Sequence, residues 1–142
     1  MNKSYRNKLQ SGFTLIEIMV VVVIIAILAA VVVPRIMSRP EQARKVKAKT
    51  DIMQIQSAMD LYKLDNGFYP SAEQGIAALV RKPNGDPQPQ EWQVGGYLKE
   101  IPSDPWGHGY HYANPGQHSS VDIWTDGASN TPGKDTIGNW KD

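Results

Sequence analysis

Cysteine is absent from the 142 residues, which excludes disulfide stapling in any compartment. It also leaves His108-x-x-His111, the one spacing here that looks like metal ligation, without thiolate company, and in an alternating strand those two histidines face opposite sides. There is no glycine-rich loop placed to cradle phosphate and no serine in a nucleophile elbow. His108, His111, His118, Asp104, Asp122 and Asp126 therefore do not add up to an enzyme, and the histidines read as solvated strand residues. Excess charge is missing too. The formal net charge is +1, and Lys3, Arg6 and Lys8 lie in the first twelve residues; beyond Gly12 there are 12 basic and 14 acidic residues, a net of −2. Nothing in that balance suggests a nucleic-acid partner.

One further absence is local. From Phe13 to Val33 there are 21 residues with a single charge, Glu17. A helix needs about 20 apolar residues to cross a bilayer, so the run is long enough to span. An export signal with a core of 7 to 15 residues fits it less well. Yet a carboxylate in hydrocarbon costs on the order of 3 kcal/mol and needs a partner, and no Lys, Arg or His lies in the run. Cleavage after Gly12 would create one, the α-amine of Phe13. Its own helix N-terminus stabilises Glu17 modestly. The stronger arrangement pairs Glu17 of one subunit with the Phe13 amine of the next, a desolvated ion pair that would fix axial register as buried polar groups do in coiled coils.

Gly12-Phe13-Thr14-Leu15-Ile16-Glu17 followed by an apolar helix resembles the class III signal of type IV pilins and pseudopilins. The resemblance implies that residues 1–12 are a leader removed by a prepilin peptidase, that Phe13 becomes N-methylated, and that Glu17 guides assembly of a helical homopolymer. It also implies a single-pass inner-membrane protein with its C-terminal domain in the periplasm. The cationic residues Arg35, Arg39, Arg44, Lys45, Lys47 and Lys49 beyond the span argue the opposite orientation by the positive-inside bias. The family arrangement is preferred because dedicated targeting overrides that bias.

Pro34 ends the smooth part of the apolar helix, since it donates no hydrogen bond and crowds the carbonyl four residues back. The segment 35–39, between Pro34 and Pro40, is expected to kink or unwind when subunits pack. From Glu41 the helical signal resumes, with Ala48, Ile52, Ile55, Met59 and Tyr62 on one face and Lys47, Asp51, Gln54 and Lys63 elsewhere. A helix from about Thr14 to Asp65 would measure roughly 80 Å and close at Asn66-Gly67. Ser71-Ala72-Glu73-Gln74 predicts a capping box opening a helix through about Arg81. Residues 82–90 read as an exposed, proline-rich loop. Short alternating segments at 110–113, 121–124 and 136–140 predict strands. Three such strands need the amphipathic helix face as a floor. The expected fold is α+β: a long N-terminal helix, membrane-spanning over 13–34, and a small antiparallel sheet laid on its second half within a globular part, 35–142. The tryptophans are expected in the core of that part.

Leu61-Tyr62-Lys63-Leu64-Asp65-Asn66, Tyr69-Pro70-Ser71, Gly96-Tyr97-Leu98 and Asp104-Pro105-Trp106-Gly107 resemble, in order, landmarks of the major pseudopilins of type II secretion systems, the general secretory pathway protein G family. The likeness runs from Ser11 to Trp140. It implies a pseudopilus subunit that works with minor pseudopilins, an inner-membrane assembly platform and a cytoplasmic ATPase to export folded periplasmic proteins. The missing disulfide disfavours the alternative, a type IV pilus subunit of an adhesion or motility fibre. A signal-anchored binding domain that never polymerises is the other alternative. In the resembled family the C-terminal loop binds calcium, and residues 126–137 occupy its place. This loop is poorer in acids: Gly127-Ala128-Ser129-Asn130 stands where the family has Gly-x-Asp-Gly, and Lys134 opposes a cation. Asp126, Ser129, Asn130 and Asp135 are the expected calcium ligands; the competing reading is a loop of Asx turns.

Overall fold

The computed structural model describes residues 11–141, with the side chains of 33–38 left out of account. The leader expected over 1–12 thus lies outside the described residues except for Ser11 and Gly12, and the side chain of Pro34 lies outside them as well. The chain divides into two units, Met1–Pro40 and Glu41–Asp142.

Helix α1 is assigned from Leu15 to Asn66, 52 residues. Its start is set by a capping box. The Thr14 hydroxyl accepts from the Glu17 N–H at 3.3 Å, and Glu17 Oε2 accepts from the Thr14 N–H at 3.4 Å, satisfying two of the N-terminal donors that every helix leaves open. Its end is set by Gly67, whose φ of 84° suits the left-handed cap and whose N–H bonds the Lys63 carbonyl at 2.7 Å. Helical assignment continues through Pro34 and Pro40, so the helical backbone of the lone chain carries no interruption at Pro34. The kink or unwinding expected over 35–39 concerns packed subunits.

In the first unit, the stretch Leu15–Val32 is long and apolar enough to cross a membrane, and none of it is buried within the chain. An apolar helix exposed on all sides is a segment made for lipid or for other copies of itself.

In the second unit, Ala48, Ile52, Ile55, Met59 and Tyr62 are all buried to within 1%. They repeat at three and four residues, as one face of a helix must. Ile76, Ala78, Leu79, Tyr110 and Ile123 close over them, with Phe68, Trp92, Tyr97, Leu98, Tyr112 and Ile137 packed around the edge. Full burial of each large side chain contributes about 1.5–3 kcal/mol, which makes this stripe the main hold of the sheet on the helix. One expectation about this helix fails. Asp51 does not stand off the buried face: it is 7% exposed, and its Oδ2 accepts from the Tyr110 hydroxyl at 2.8 Å and from Lys47 Nζ at 2.6 Å. A buried carboxylate is tolerable here because both donors meet it.

The sheet follows. Strands β1 (His111–Ala113), β2 (Asp122–Thr125) and β3 (Ile137–Gly138) are antiparallel in the order β1-β2-β3, with Tyr112 opposite Ile123 and Trp124 opposite Gly138. Between helix and sheet the expected box forms: the Ser71 N–H donates to Gln74 Oε1 and the Gln74 N–H to Ser71 Oγ, at 3.0 and 3.1 Å. The α-helix expected to follow it does not. Gly75 takes φ 59°, which breaks the run, and only a 3₁₀ helix, Ile76–Leu79, comes after. Its last carbonyl accepts the N–H groups of Tyr97 and Leu98. That approach requires Gly96, where a Cβ would lie 2.8 Å from the Leu79 carbonyl oxygen at φ +82°.

Candidate assembly site and C-terminal loop

Glu17 stands near the N-terminus of the apolar helix, with Phe13 81% exposed four residues before it. Oε2 caps the chain's own first turn, while Oε1 accepts no hydrogen bond and no cation pairs with the carboxylate among the described residues. One oxygen thus organises the helix start, and among the described residues the other has no donor. The capping role was readable as Thr14-x-x-Glu17 but was overshadowed by the charge. A Cβ built at Gly12 would meet nothing within 4 Å among the described residues.

Two buried carboxylates stand at the two ends of β2, and the one at its far end organises the C-terminal loop. Asp126 is 6% exposed; its Oδ1 accepts from the Thr136 hydroxyl at 3.2 Å and its Oδ2 faces His111 Nε2 at 3.2 Å. Gly127 at φ +65° lets the backbone of Asp135 pass where a Cβ would sit 2.6 Å from its carbonyl oxygen. Ser129 Oγ reaches back to the Asp126 carbonyl at 3.5 Å, and Asn130 takes the left-handed conformation that ends the short 3₁₀ turn. Of the four expected calcium ligands, Asp126 is thus already engaged and Asn130 is exposed on the turn. No group of three or more His, Cys, Asp or Glu close enough to hold a metal occurs among the described residues.

The second carboxylate is Asp122, which the sequence offered only as a weak catalytic candidate. It accepts the N–H groups of Gln117, His118 and Ser119 at 2.8, 3.1 and 3.0 Å and faces His118 Nδ1 at 2.9 Å. Burial by itself raises its pKa; the His118 contact and the three backbone donors outweigh that and hold it below the usual carboxylate value. The histidines are therefore not merely solvated. His118 also stacks on Trp140 at 4.0 Å, and His111 on Trp124 at 5.2 Å. Trp92 does pack on the core, and its Nε1 donates to the Ala78 carbonyl at 2.9 Å.

Sequence reasoning missed Asn139 entirely. Its Oδ1 accepts the Ile123 N–H at 3.0 Å, while its Nδ2 donates to Val121 O at 2.9 Å and Gln56 Oε1 at 2.7 Å. One side chain thereby joins the last strand, the central strand and the helix, and no local pattern announces such a clamp.

An apolar helix headed by a lone carboxylate, continuing into an amphipathic run that carries a three-stranded sheet, is the build of a pilin-like subunit. The comparisons with known proteins agree. The family described as "Type II secretion system (T2SS), protein G" matches residues 35–140, and "Prokaryotic N-terminal methylation motif" matches residues 7–33. Type II secretion system core protein G of Pseudomonas aeruginosa is 56% identical over 135 residues, covering 92% of this chain and 95% of that one. Its namesake in Escherichia coli K12 is 46% identical over 132 residues, covering 92% and 91%. The crystal structure of the major pseudopilin from the type 2 secretion system of enterohaemorrhagic Escherichia coli superposes with a TM-score of 0.69 at 42% identity, over 73% of this chain and 88% of that one. This chain belongs to the type II secretion system protein G family.

Proposed function

We infer that this chain is the structural subunit of a type II secretion pseudopilus and polymerises through its N-terminal helix to drive export of folded proteins across the outer membrane. The observation that carries the mechanism is Glu17, a carboxylate with one free oxygen beside an apolar helix that buries nothing within its own chain. Prepilin peptidase cuts between Gly12 and Phe13, and the Phe13 amine is methylated. The ammonium of one subunit then meets Glu17 of its neighbour in an environment where neither tolerates being alone. The subunit waits in the inner membrane with its globular part in the periplasm, and it works with minor pseudopilins and the assembly platform. Packing unwinds the helix near Pro34, where the missing N–H and the ring weaken the ladder. The protein has a mechanical role and no catalytic one.

Mass spectrometry of the mature chain tests the first step and should find an N-terminus beginning at methylated Phe13. A chain still beginning at Met1 would refute it. Deleting the gene should leave secretion substrates folded in the periplasm, and a C-terminal reporter should be active there and not in the cytoplasm.

We propose calcium for the C-terminal loop as well. Asp126, Asp135, Ser129 and Asn130 are hard oxygen donors, which suits calcium in kind; carbonyls or waters would complete its six to eight ligands. When bound, the ion would tie the two ends of the loop together. Asp126 would turn from Thr136 and His111 toward it, while Lys134 would weaken the site.

A further inference from the structure

A groove of about 840 Å³ lies between the start of the amphipathic part of α1 and the end of the chain. Among the described residues, four lysines line it, Lys45, Lys49, Lys134 and Lys141, against one carboxylate, Asp135. The neighbouring cations are already committed: Arg44 pairs with Glu41 at 3.5 Å and Lys47 with Asp51 at 2.6 Å. The four groove lysines have no ion pair among the described residues. Like charges gathered around one depression repel one another, and an anionic occupant relieves that repulsion. The floor is apolar and adaptable, since Met53 is 69% exposed there.

We propose that this groove receives the loop Pro83–Glu91 of a second copy of the chain, a contact that rests on the pseudopilus reading and adds a second assembly site to it. Beyond Arg81 and Lys82, which are exposed just before it, the loop carries two acids, Asp86 and Glu91, and no further basic residue, and both acids are exposed. It is pre-shaped: Gln74 Nε2 donates to the carbonyls of Gly85 and Pro87 at 3.2 and 3.0 Å, and the Glu91 N–H donates to Asn66 Oδ1 at 3.0 Å. A loop already held in place loses little entropy on docking. The bond to Asn66 anchors the loop at the C-terminal end of α1, whereas Lys45 and Lys49 lie about 25 to 30 Å back along the helix at 1.5 Å per residue. Groove and loop are thus different surfaces at different heights. Such a contact is heterologous and propagates into an open filament. The Glu17 to Phe13 contact spans only about 6 Å of helix, so the groove serves a more distant neighbour than the one that meets Glu17.

The test uses the full-length protein assembling in the membrane. Because the chain has no native cysteine, a Lys49→Cys, Asp86→Cys double variant reports without background. It should oxidise to a ladder of disulfide-linked oligomers that neither single variant forms. Separately, Lys45→Glu with Lys49→Glu should lower filament yield several-fold, and adding Asp86→Lys with Glu91→Lys to the same chain should restore it. Abundant filaments that show neither the ladder nor sensitivity to charge reversal would overturn the groove contact while leaving the pseudopilus reading intact. Failure of the unaltered chain to form filaments at all would instead sink the pseudopilus reading. Lysine-dependent binding to phosphatidylglycerol vesicles, with no ladder and no rescue, would assign the groove to lipid and also overturn the proposal.

Discussion

Replacing Glu17 by glutamine separates the helix cap that the structure shows from the inter-subunit ion pair proposed for the same side chain. The Thr14 and Glu17 hydrogen bonds at 3.3 and 3.4 Å cap the helix, and a capping box accepts Gln in place of Glu. Glutamine therefore keeps the helix start, while alanine gives up the bond to the Thr14 N–H, a loss of about 0.5–1 kcal/mol. The charge is another matter. Glutamine cannot form an ion pair with a neighbouring ammonium, and an ammonium buried without a counter-charge among apolar helices costs about 3 kcal/mol, roughly a hundredfold in association. Glu17→Gln and Glu17→Ala should both insert into the membrane, and both should give filament yields lower by about two orders of magnitude. Pelleting of sheared filaments measures the yield, and circular dichroism of the purified chain in detergent should find Glu17→Gln as helical as the wild type. If Glu17→Gln assembles normally while Glu17→Ala fails, the residue is a helix cap and the inter-subunit pair is wrong.

The parts of the fold that the sequence made legible were those that repeat. The stripe from Ala48 to Tyr62 is periodic, so its burial was readable. The three strands were readable from alternation between turns, and the cap at Gly67 from a residue type that tolerates positive φ. What stayed hidden was held by single long-range contacts. Asp51 read as standing off the buried stripe because its partner, Tyr110, is 59 residues away. His118 and Trp140 stack across a loop that gives no local hint of closure. The false helix over 72–81 came from a true box: Ser71 and Gln74 bond as read, but Gly75 leaves helical space one residue later. At the candidate assembly site, charge and spacing drew attention to Glu17, yet the split between its two oxygens needed coordinates.

Three further perturbations follow from the globular unit. Calcium should raise the thermal midpoint of the purified chain relative to chelator, and Asp135→Asn should abolish the increment; identical midpoints with and without the ion would remove the metal from the loop. Acid should weaken the fold through Asp122. Its folded pKa is depressed, so its stabilisation is present above the ordinary carboxyl value of about 4 and is lost as pH falls through the folded value. Denaturant titrations from pH 6 down should show that loss, and Asp122→Asn should flatten it. Asn139→Ala should be the most damaging of the set relative to the atoms removed. It orphans the Ile123 N–H of the central strand and frees the contacts to Val121 and Gln56. A buried unpaired donor costs about 1–3 kcal/mol, and each of the two lost bonds adds roughly 0.5–1.5 kcal/mol, so a loss of about 2–6 kcal/mol is expected, or roughly 10–30 °C in melting for a unit of this size. Asn139→Asp keeps the acceptor for Ile123 but removes both donations, and it brings a carboxylate against the oxygens of Val121 and Gln56. It should therefore be destabilised as well. An Asn139→Asp variant as stable as the wild type would mean that the ties to Val121 and the helix contribute nothing, and the sheet would then rest on the apolar stripe alone.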